Sequence, residues 1–234
     1  SMAVHQGDDV HISRAIAEQG IWEPDETALV MAALKPGQHF LDVGANIGYF
    51  TLLGSRLAGA GGKVSAFEPD SENFQLLRLN CSANHCNNVE LHECALSNEN
   101  NDGQLYLSAE NRGDHTIYPT AEQRHSISIH LRQGTEVFDP AKDRFGLVKI
   151  DTQGSEYQVL EGLLPLLQAS LPELVMLLEL SPNSMLRAGY DTDAFMALLE
   201  PLPGDFYVLD RYHRGLIAIS RTELRNWSKL SERN

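Results

Sequence analysis

From about residue 38 onward, short continuous apolar runs alternate with stretches whose apolar residues recur every three or four positions. The first pattern predicts buried strands and the second amphipathic helices. Ahead of them, residues 10–35 read as helical, with Ile12, Ala15, Ile16 and Gln19 on one face and Gly20 as a stop. A second helix over residues 27–34 is closed by Pro36-Gly37. A first strand over 39–43 leads through a small-residue turn into a helix that runs to Gly59-Ala60-Gly61-Gly62. A second strand over 63–67 ends at Glu68. Asp70 or Ser71 then caps a helix striped by Phe74, Leu77 and Cys81. A third strand lies near residues 89–96.

The rhythm breaks over residues 98–135, which are polar apart from two alternating stretches at 104–108 and 126–132. Alternation predicts half-exposed antiparallel strands, with a polar loop, residues 110–116, between them. The run 145–150 is a buried fourth strand, and Ser155 with Gln158 forms a capping-box pair on the helix after Gly154. Residues 174–180 predict a buried fifth strand, and Asp191 or Thr192 opens a helix reaching Leu199. Runs 206–211 and 216–220 read as a terminal hairpin, and residues 222–234 as a short helix or loose tail. Five strands alternating with helices predict a parallel sheet with right-handed crossovers, to which the hairpin adds an antiparallel strand. With no repeat and no low-complexity linker, residues 1–234 are expected to form one domain. Residues 10–35 are its N-terminal helical cap, and residues 98–135 a polar insert.

Composition narrows the partners. The chain has 234 residues, 18 basic against 32 acidic, for a net charge of −14. That balance, without a Lys/Arg cluster, disfavours a nucleic-acid partner. No apolar run approaches the roughly 20 residues that span a bilayer. The start carries no basic region followed by an apolar one, so no secretory signal is read there. Ser1-Met2 reads as a tag-cleavage scar, which leaves room for a native segment upstream. Cys81, Cys86 and Cys94 are odd in number and lack CxxC spacing, so reduced, packed thiols and a cytoplasmic setting are expected.

The candidate chemistry sits where strands end. Asp42-Val43-Gly44-Ala45-Asn46-Ile47-Gly48 closes the first strand with an acid and a turn of small residues, and Glu68 closes the second. An acid at the second position suits two ribose hydroxyls. The turn lacks the GxGxxG spacing of dinucleotide sites, Asn46 standing where a middle glycine would be. It also lacks the GK[ST] of a P-loop. A nucleoside without pyrophosphate fits, and S-adenosylmethionine offers both a ribose for Glu68 and a cationic end for Asp42. Asp42 can equally be a buried acid satisfying turn amides. A second cluster is Lys149-Ile150-Asp151-Thr152-Gln153-Gly154-Ser155-Glu156, in which Lys149 and Asp151 share a strand face. Glu156 can be a helix cap and Lys149–Asp151 a structural ion pair. Glu179 ends the fifth strand, an acid that needs a partner or a role.

Together these residues carry a resemblance, over roughly residues 10–220, to the FkbM-type S-adenosylmethionine-dependent methyltransferases. It rests on Asp42 through Gly48, on Phe67-Glu68-Pro69, on Ala95-Leu96-Ser97, and on Lys149 through Glu156, in that order and spacing. The resemblance implies a class I methyltransferase (Rossmann-like) fold: a seven-stranded, mostly parallel α/β sheet with helices on both faces. It also implies O-methylation of a sugar, polysaccharide or natural-product hydroxyl, with S-adenosylhomocysteine as co-product. Asp42, Gly44, Asn46, Gly48, Glu68 and Ala95 are then the expected cofactor residues. Gln153 departs from the Glu of many relatives, and the insert corresponds to the variable region that shapes the acceptor site.

For removal of the acceptor proton, Asp151 or His115 is the expected base, with Lys149, Glu156 and Glu179 shaping the pocket. A metal-assisted version would use Asp151, Glu156 and Glu179 as oxygen ligands, but no spacing enforces it and no metal is expected. Rival functions are an N- or nucleobase methyltransferase, an NAD-dependent oxidoreductase, and a binding module without catalysis. The first lacks [DN]PP[YF] after the fourth strand and the second lacks GxGxxG; the third stays open. The partner expected is a small-molecule or glycan acceptor. Oligomeric state stays open, with Trp22 and Trp227 as contact markers if exposed.

Overall fold

The computed structural model describes residues 1–5, 11–108, 111–119, 123–210 and 215–231. The elements are α1 (Ile12–Gln19), α2 (Pro24–Ala33), β1 (His39–Val43), α3 (Tyr49–Ala58), β2 (Lys63–Phe67), α4 (Ser71–Ala83) and β3 (Val89–His92). Next come β4 (Ala95–Ser97), β5 (Asn101–Tyr106), β6 (Ser126–Gln133), α5 (Gly134–Val137), β7 (Leu147–Ile150), α6 (Glu156–Ala169) and β8 (Val175–Leu178). The chain closes with α7 (Pro182–Arg187), α8 (Thr192–Leu199), β9 (Phe206–Asp210), β10 (Gly215–Ile219) and α9 (Arg221–Ser231).

The central sheet runs β3-β2-β1-β7-β8, every pair parallel. Order reverses at β1, whose neighbours β2 and β7 lie on opposite sides, and open α/β sheets bind ligands at such a switch point. Alternate residues feed two apolar layers. Phe40, Val64 and Leu147 pack with Val30, Leu34 and Phe50 of α2 and α3 and their flanks. Leu41, Val43, Phe67, Val148 and Ile150 pack instead with α6 and α8 through Leu160, Leu163, Phe195 and Leu199. Helices therefore cover both faces, as expected.

The strand count differs from the seven expected. Among the described residues the parallel sheet has five strands, and β9 and β10 pair only with each other. The hairpin's turn, Arg211 included, lies outside the described residues. The third strand also divides: β3 stays in the main sheet, whereas β4 pairs in parallel with β6, which pairs antiparallel with β5. The insert thus adds two strands to β4 to form a separate three-stranded sheet, with Gln104 opposite Ser128. It docks on α6 at Gly162, where a Cβ would lie 2.0 Å from the Ser97 carbonyl oxygen.

Local signals vary in accuracy. Gly20 caps α1 in the left-handed region, Asp70 accepts from the Asn73 amide at the start of α4, and Asp191 from Ala194 at α8. The Ser155–Gln158 capping box does not form. Glu156 instead turns back and accepts from the Thr152 and Gly154 amides at 3.0–3.1 Å. The fifth strand is no buried centre either: β8 is a sheet edge with Val175 exposed. Trp22 is half-buried and faces a cavity, whereas Trp227 is exposed on α9.

Candidate functional site

A cavity of about 300 Å³ opens over the carboxyl ends of β1, β2, β7 and β8. Gly44, Asn46, Glu68, Ala95, His115, Lys149, Asp151 and Glu179 line it. Asp42, Gly48 and Glu156, also expected at the site, do not.

The turn after β1 is held entirely by the protein. The Gly44 and Ala45 amides donate to the Phe67 carbonyl, Asn46 donates to Glu68 Oε2, Ile47 to Asn46 Oδ1 and Gly48 to the Ala45 carbonyl. No turn amide is left to cradle a phosphate, which agrees with the missing dinucleotide and P-loop spacings. The glycines are needed by the fold. At φ +83° a Cβ on Gly44 would stand 1.9 Å from the Asp151 carbonyl oxygen, and one on Gly48 2.6 Å from Leu77 Cδ1. Close approach to protein, not ligand, fixes both positions.

Glu68 sits 5% exposed at the tip of β2. Its Oε2 accepts from the Asn46 amide at 2.8 Å and its Oε1 from the Asp70 amide at 2.9 Å. Asn73 adds a side-chain hydrogen bond to the same carboxylate. Burial pushes the Glu68 carboxyl up to about 8, against the pull of its amide donors.

Asp42 lies deeper. It pairs in register with Lys149 across β1 and β7, its Oδ2 accepts from Thr51 Oγ1 at 2.6 Å, and burial raises its pKa while Lys149 opposes the rise. It is a support beneath the cavity; neither cofactor contact nor turn-amide acceptor describes it. Glu156 likewise serves α6 and the Thr152–Gly154 turn.

The β7–β8 side holds a linked acid pair. Buried Lys149 donates to Asp151 Oδ2 at 2.8 Å and lies 4.7 Å from the Phe50 ring centre. Gln153 Nε2 donates to both Asp151 Oδ1 at 3.1 Å and Glu179 Oε2 at 2.7 Å. Burial disfavours the Asp151 charge, but Lys149 and a hydrogen bond from Glu179 outweigh it and lower the carboxyl to about 2. The hydrogen bond to Asp151 and burial raise Glu179 to about 9. Glu179 stands at the exposed rim. The pair shares one proton, Asp151 keeping the charge.

His115 is on the other side. Its Nδ1 accepts from the Ser108 amide at 3.0 Å, which places the proton of the neutral ring on Nε2, 3.9 Å from Asp70 Oδ2. Burial lowers its pKa. A ring whose lone pair is already taken is a donor, so its geometry does not suit the base expected from sequence. The loop carrying it, residues 111–117, lies across the Glu68 end; Glu110 lies outside the described residues. Asn46 Nδ2 donates to the Arg112 carbonyl at 3.0 Å, and Arg112 pairs with Glu72 at 2.6 Å.

Several lining residues were not singled out for the site from sequence, two of them from the cap. Trp22 and Glu23 reach the cavity from the N-terminal cap. Glu23 holds φ +42° at the start of α2, a strained conformation for a non-glycine residue. Burial, then Glu26, raise its carboxyl to about 8. The dipeptide Glu23-Pro24 was the available signal, because a residue before proline avoids the helical region. His39 and His92 pack against Phe145 and Phe67. Among the described residues no group of His, Cys, Asp or Glu is arranged to hold a metal ion. None of the described helices is long and apolar enough to cross a membrane.

The switch-point cavity, the buried acid on β2 and the phosphate-free turn define an α/β protein with a candidate ligand site at the carboxyl ends of its strands. The chain belongs to the FkbM methyltransferase family, whose domain model matches residues 42–202. It is 28% identical to Methyltransferase 1 of Beauveria bassiana (strain ARSEF 2860) over 153 residues, covering 57% of this chain and 61% of that protein. It therefore spans about three-fifths of that relative. A candidate rRNA methylase from Clostridium thermocellum shares the fold, with a TM-score of 0.51, 9% identity, and 83% of this chain and 94% of that one covered. A SAM-dependent methyltransferase from Aquifex aeolicus is 30% identical over 29% of this chain and 36% of its own, with a TM-score of 0.26.

Proposed function

We propose that the chain is an S-adenosylmethionine-dependent O-methyltransferase acting on a hydroxyl of a sugar, polysaccharide or natural product. The observation that carries the cofactor reading is Glu68: a buried acid at the tip of β2, anchored by the Asn46 and Asp70 amides and lining a cavity at the switch point. The residues present fit the group. Glu68 would take the ribose hydroxyls and Asn46 and Ala95 would flank them, while the consumed turn amides disfavour a pyrophosphate. S-adenosylmethionine, when bound, supplies an electrophilic methyl.

The chain's own residues then position and deprotonate the acceptor. In-line displacement depends on holding the oxygen in place. Glu179, at the exposed rim, is held protonated below about pH 9 and would serve as base in its ionised form, so turnover should rise with pH, whereas the oxygens of Asp151 are occupied by Lys149 and Gln153. Lys149 and Gln153 fix Asp151, and Trp22 and Glu23 wall the acceptor side. Calorimetry with S-adenosylhomocysteine and with NAD tests the cofactor: binding of the first alone is expected, and binding of NAD alone would overturn the reading. Release of labelled methyl with a panel of sugars and hydroxylated metabolites tests the acceptor. Cofactor binding without transfer to any panel member would favour the binding-module alternative.

A further inference from the structure

The insert was expected to shape the acceptor site. Its contacts point to the opposite end of the cavity. Arg112 and His115 stand at the Glu68 end, each 3.9 Å from Asp70, and Leu96, Leu105 and Ile117 add apolar lining to the same cavity. The acid pair holds the other side, with Glu23 of the N-terminal cap acting electrostatically on Glu179. If Glu68 grips a ribose and the reacting end points to Asp151 and Glu179, the base of the nucleoside must extend the other way, under the insert.

Asn46 ties the two parts together. Its φ of +51° is one that glycine adopts freely, yet glycine does not stand there. The side chain accounts for the choice. Its Oδ1 accepts from the Ile47 amide, and its Nδ2 donates to the Arg112 carbonyl. Asn73, buried on α4, donates to the same carbonyl at 3.4 Å. Gly113 then packs beneath α1, where a Cβ would meet Ile12 Cδ1 at 2.7 Å. The loop is thus fastened to the turn below and to the cap above.

Resting on the cofactor reading above, we propose that residues 111–117 form the base-binding wall of the cofactor site, and that Asn46 is a specificity residue coupling this wall to the turn. The insert serves the nucleoside and leaves the acceptor to the cap. An apolar slot bounded by Leu96, Leu105 and Ile117 suits a flat purine.

The test is calorimetry with S-adenosylhomocysteine on the wild type, Asn46→Gly, Ile117→Ser and Trp22→Leu. Glycine keeps the turn's backbone conformation and removes the tie to Arg112 together with the local bond from the Ile47 amide, so its affinity falls about fivefold, as does that of Ile117→Ser. Trp22→Leu, on the cap side, stays within about twofold of wild type. Hydrogen exchange supplies a second readout: the ligand slows exchange of the 111–117 amides in wild type and does so less in Asn46→Gly. Wild-type affinity in both Asn46→Gly and Ile117→Ser, with loop exchange indifferent to ligand, overturns this inference alone. A wild type that does not bind S-adenosylhomocysteine sinks the cofactor reading, and the inference with it.

Discussion

Glu68 makes the cofactor reading quantitative. Without ligand its carboxyl is raised by burial to about 8. Two ribose hydroxyls donate to an ionised carboxylate, so binding favours the charged form and lowers that pKa in the complex. Below pH 8 the site must first give up a proton, and affinity falls by about tenfold per pH unit. Between pH 6.5 and 8.5 the protonated fraction changes enough to tighten S-adenosylhomocysteine binding by roughly 25-fold. Calorimetry in buffers of different ionisation enthalpy reads both the affinity and the proton released. Glu68→Gln abolishes the slope and binds weakly throughout. The same carboxyl governs stability with the sign of a raised acid: its contribution is full below about pH 4.5 and lost as pH rises through 8. Unliganded wild type should thus lose about 2 kcal/mol between pH 6 and 8, a loss absent in Glu68→Gln. A flat affinity profile in the wild type, matched by an unimpaired Glu68→Gln, would refute the reasoning.

Other expectations concern the acid pair and the packing. Glu179→Gln should lower turnover on an identified acceptor by about 10²–10⁴-fold, with S-adenosylhomocysteine affinity unchanged. Steady-state kinetics beside calorimetry would check this, and retained turnover would return the base to Asp151. Lys149→Met strands the charges of Asp42 and Asp151 and should cost about 3 kcal/mol in urea denaturation at pH 7. Gly162→Ala drives a methyl into the Ser97 carbonyl, where only backbone can yield, and should cost about 3 kcal/mol by the same measurement. Gly54→Ala meets the Phe40 ring edge at 2.3 Å and should cost about 1–3 kcal/mol, since a buried ring can shift only slightly.

Strands β1, β2 and β7 were legible in the sequence because each is a continuous apolar run whose terminal acid breaks the pattern. Glu68 and Asp151 fell at cavity-facing strand ends for that reason. Asp42 misled because it lies one step earlier in the same alternation, and period two points it at Lys149 beneath the cavity. The Ser155–Gln158 pattern satisfied the capping rule, yet the box does not form, and Glu156 bonds the preceding Thr152 and Gly154 amides. The hairpin's two runs were correct, but which sheet a strand joins is a tertiary choice that alternation does not encode. The loop's placement was equally hidden: nothing in the spacing from Asn46 to Arg112 announces that they touch. The sequence did carry one clue, Asn46 standing where a middle glycine would be, but not the contact its side chain makes.

The closed hydrogen bonding of that turn has a practical consequence. A site that holds its ligand through a carboxylate and apolar walls, with no exposed row of amides, draws little on long-range charge. Cofactor affinity should change little between low and high salt, and ATP or ADP should compete poorly even at cellular concentrations. Redirecting this scaffold to a phosphorylated cofactor would accordingly take more than new side chains. Three of the five turn amides are tied to the second strand's last carbonyl and to its terminal acid, so the backbone between the two strands would have to be rebuilt.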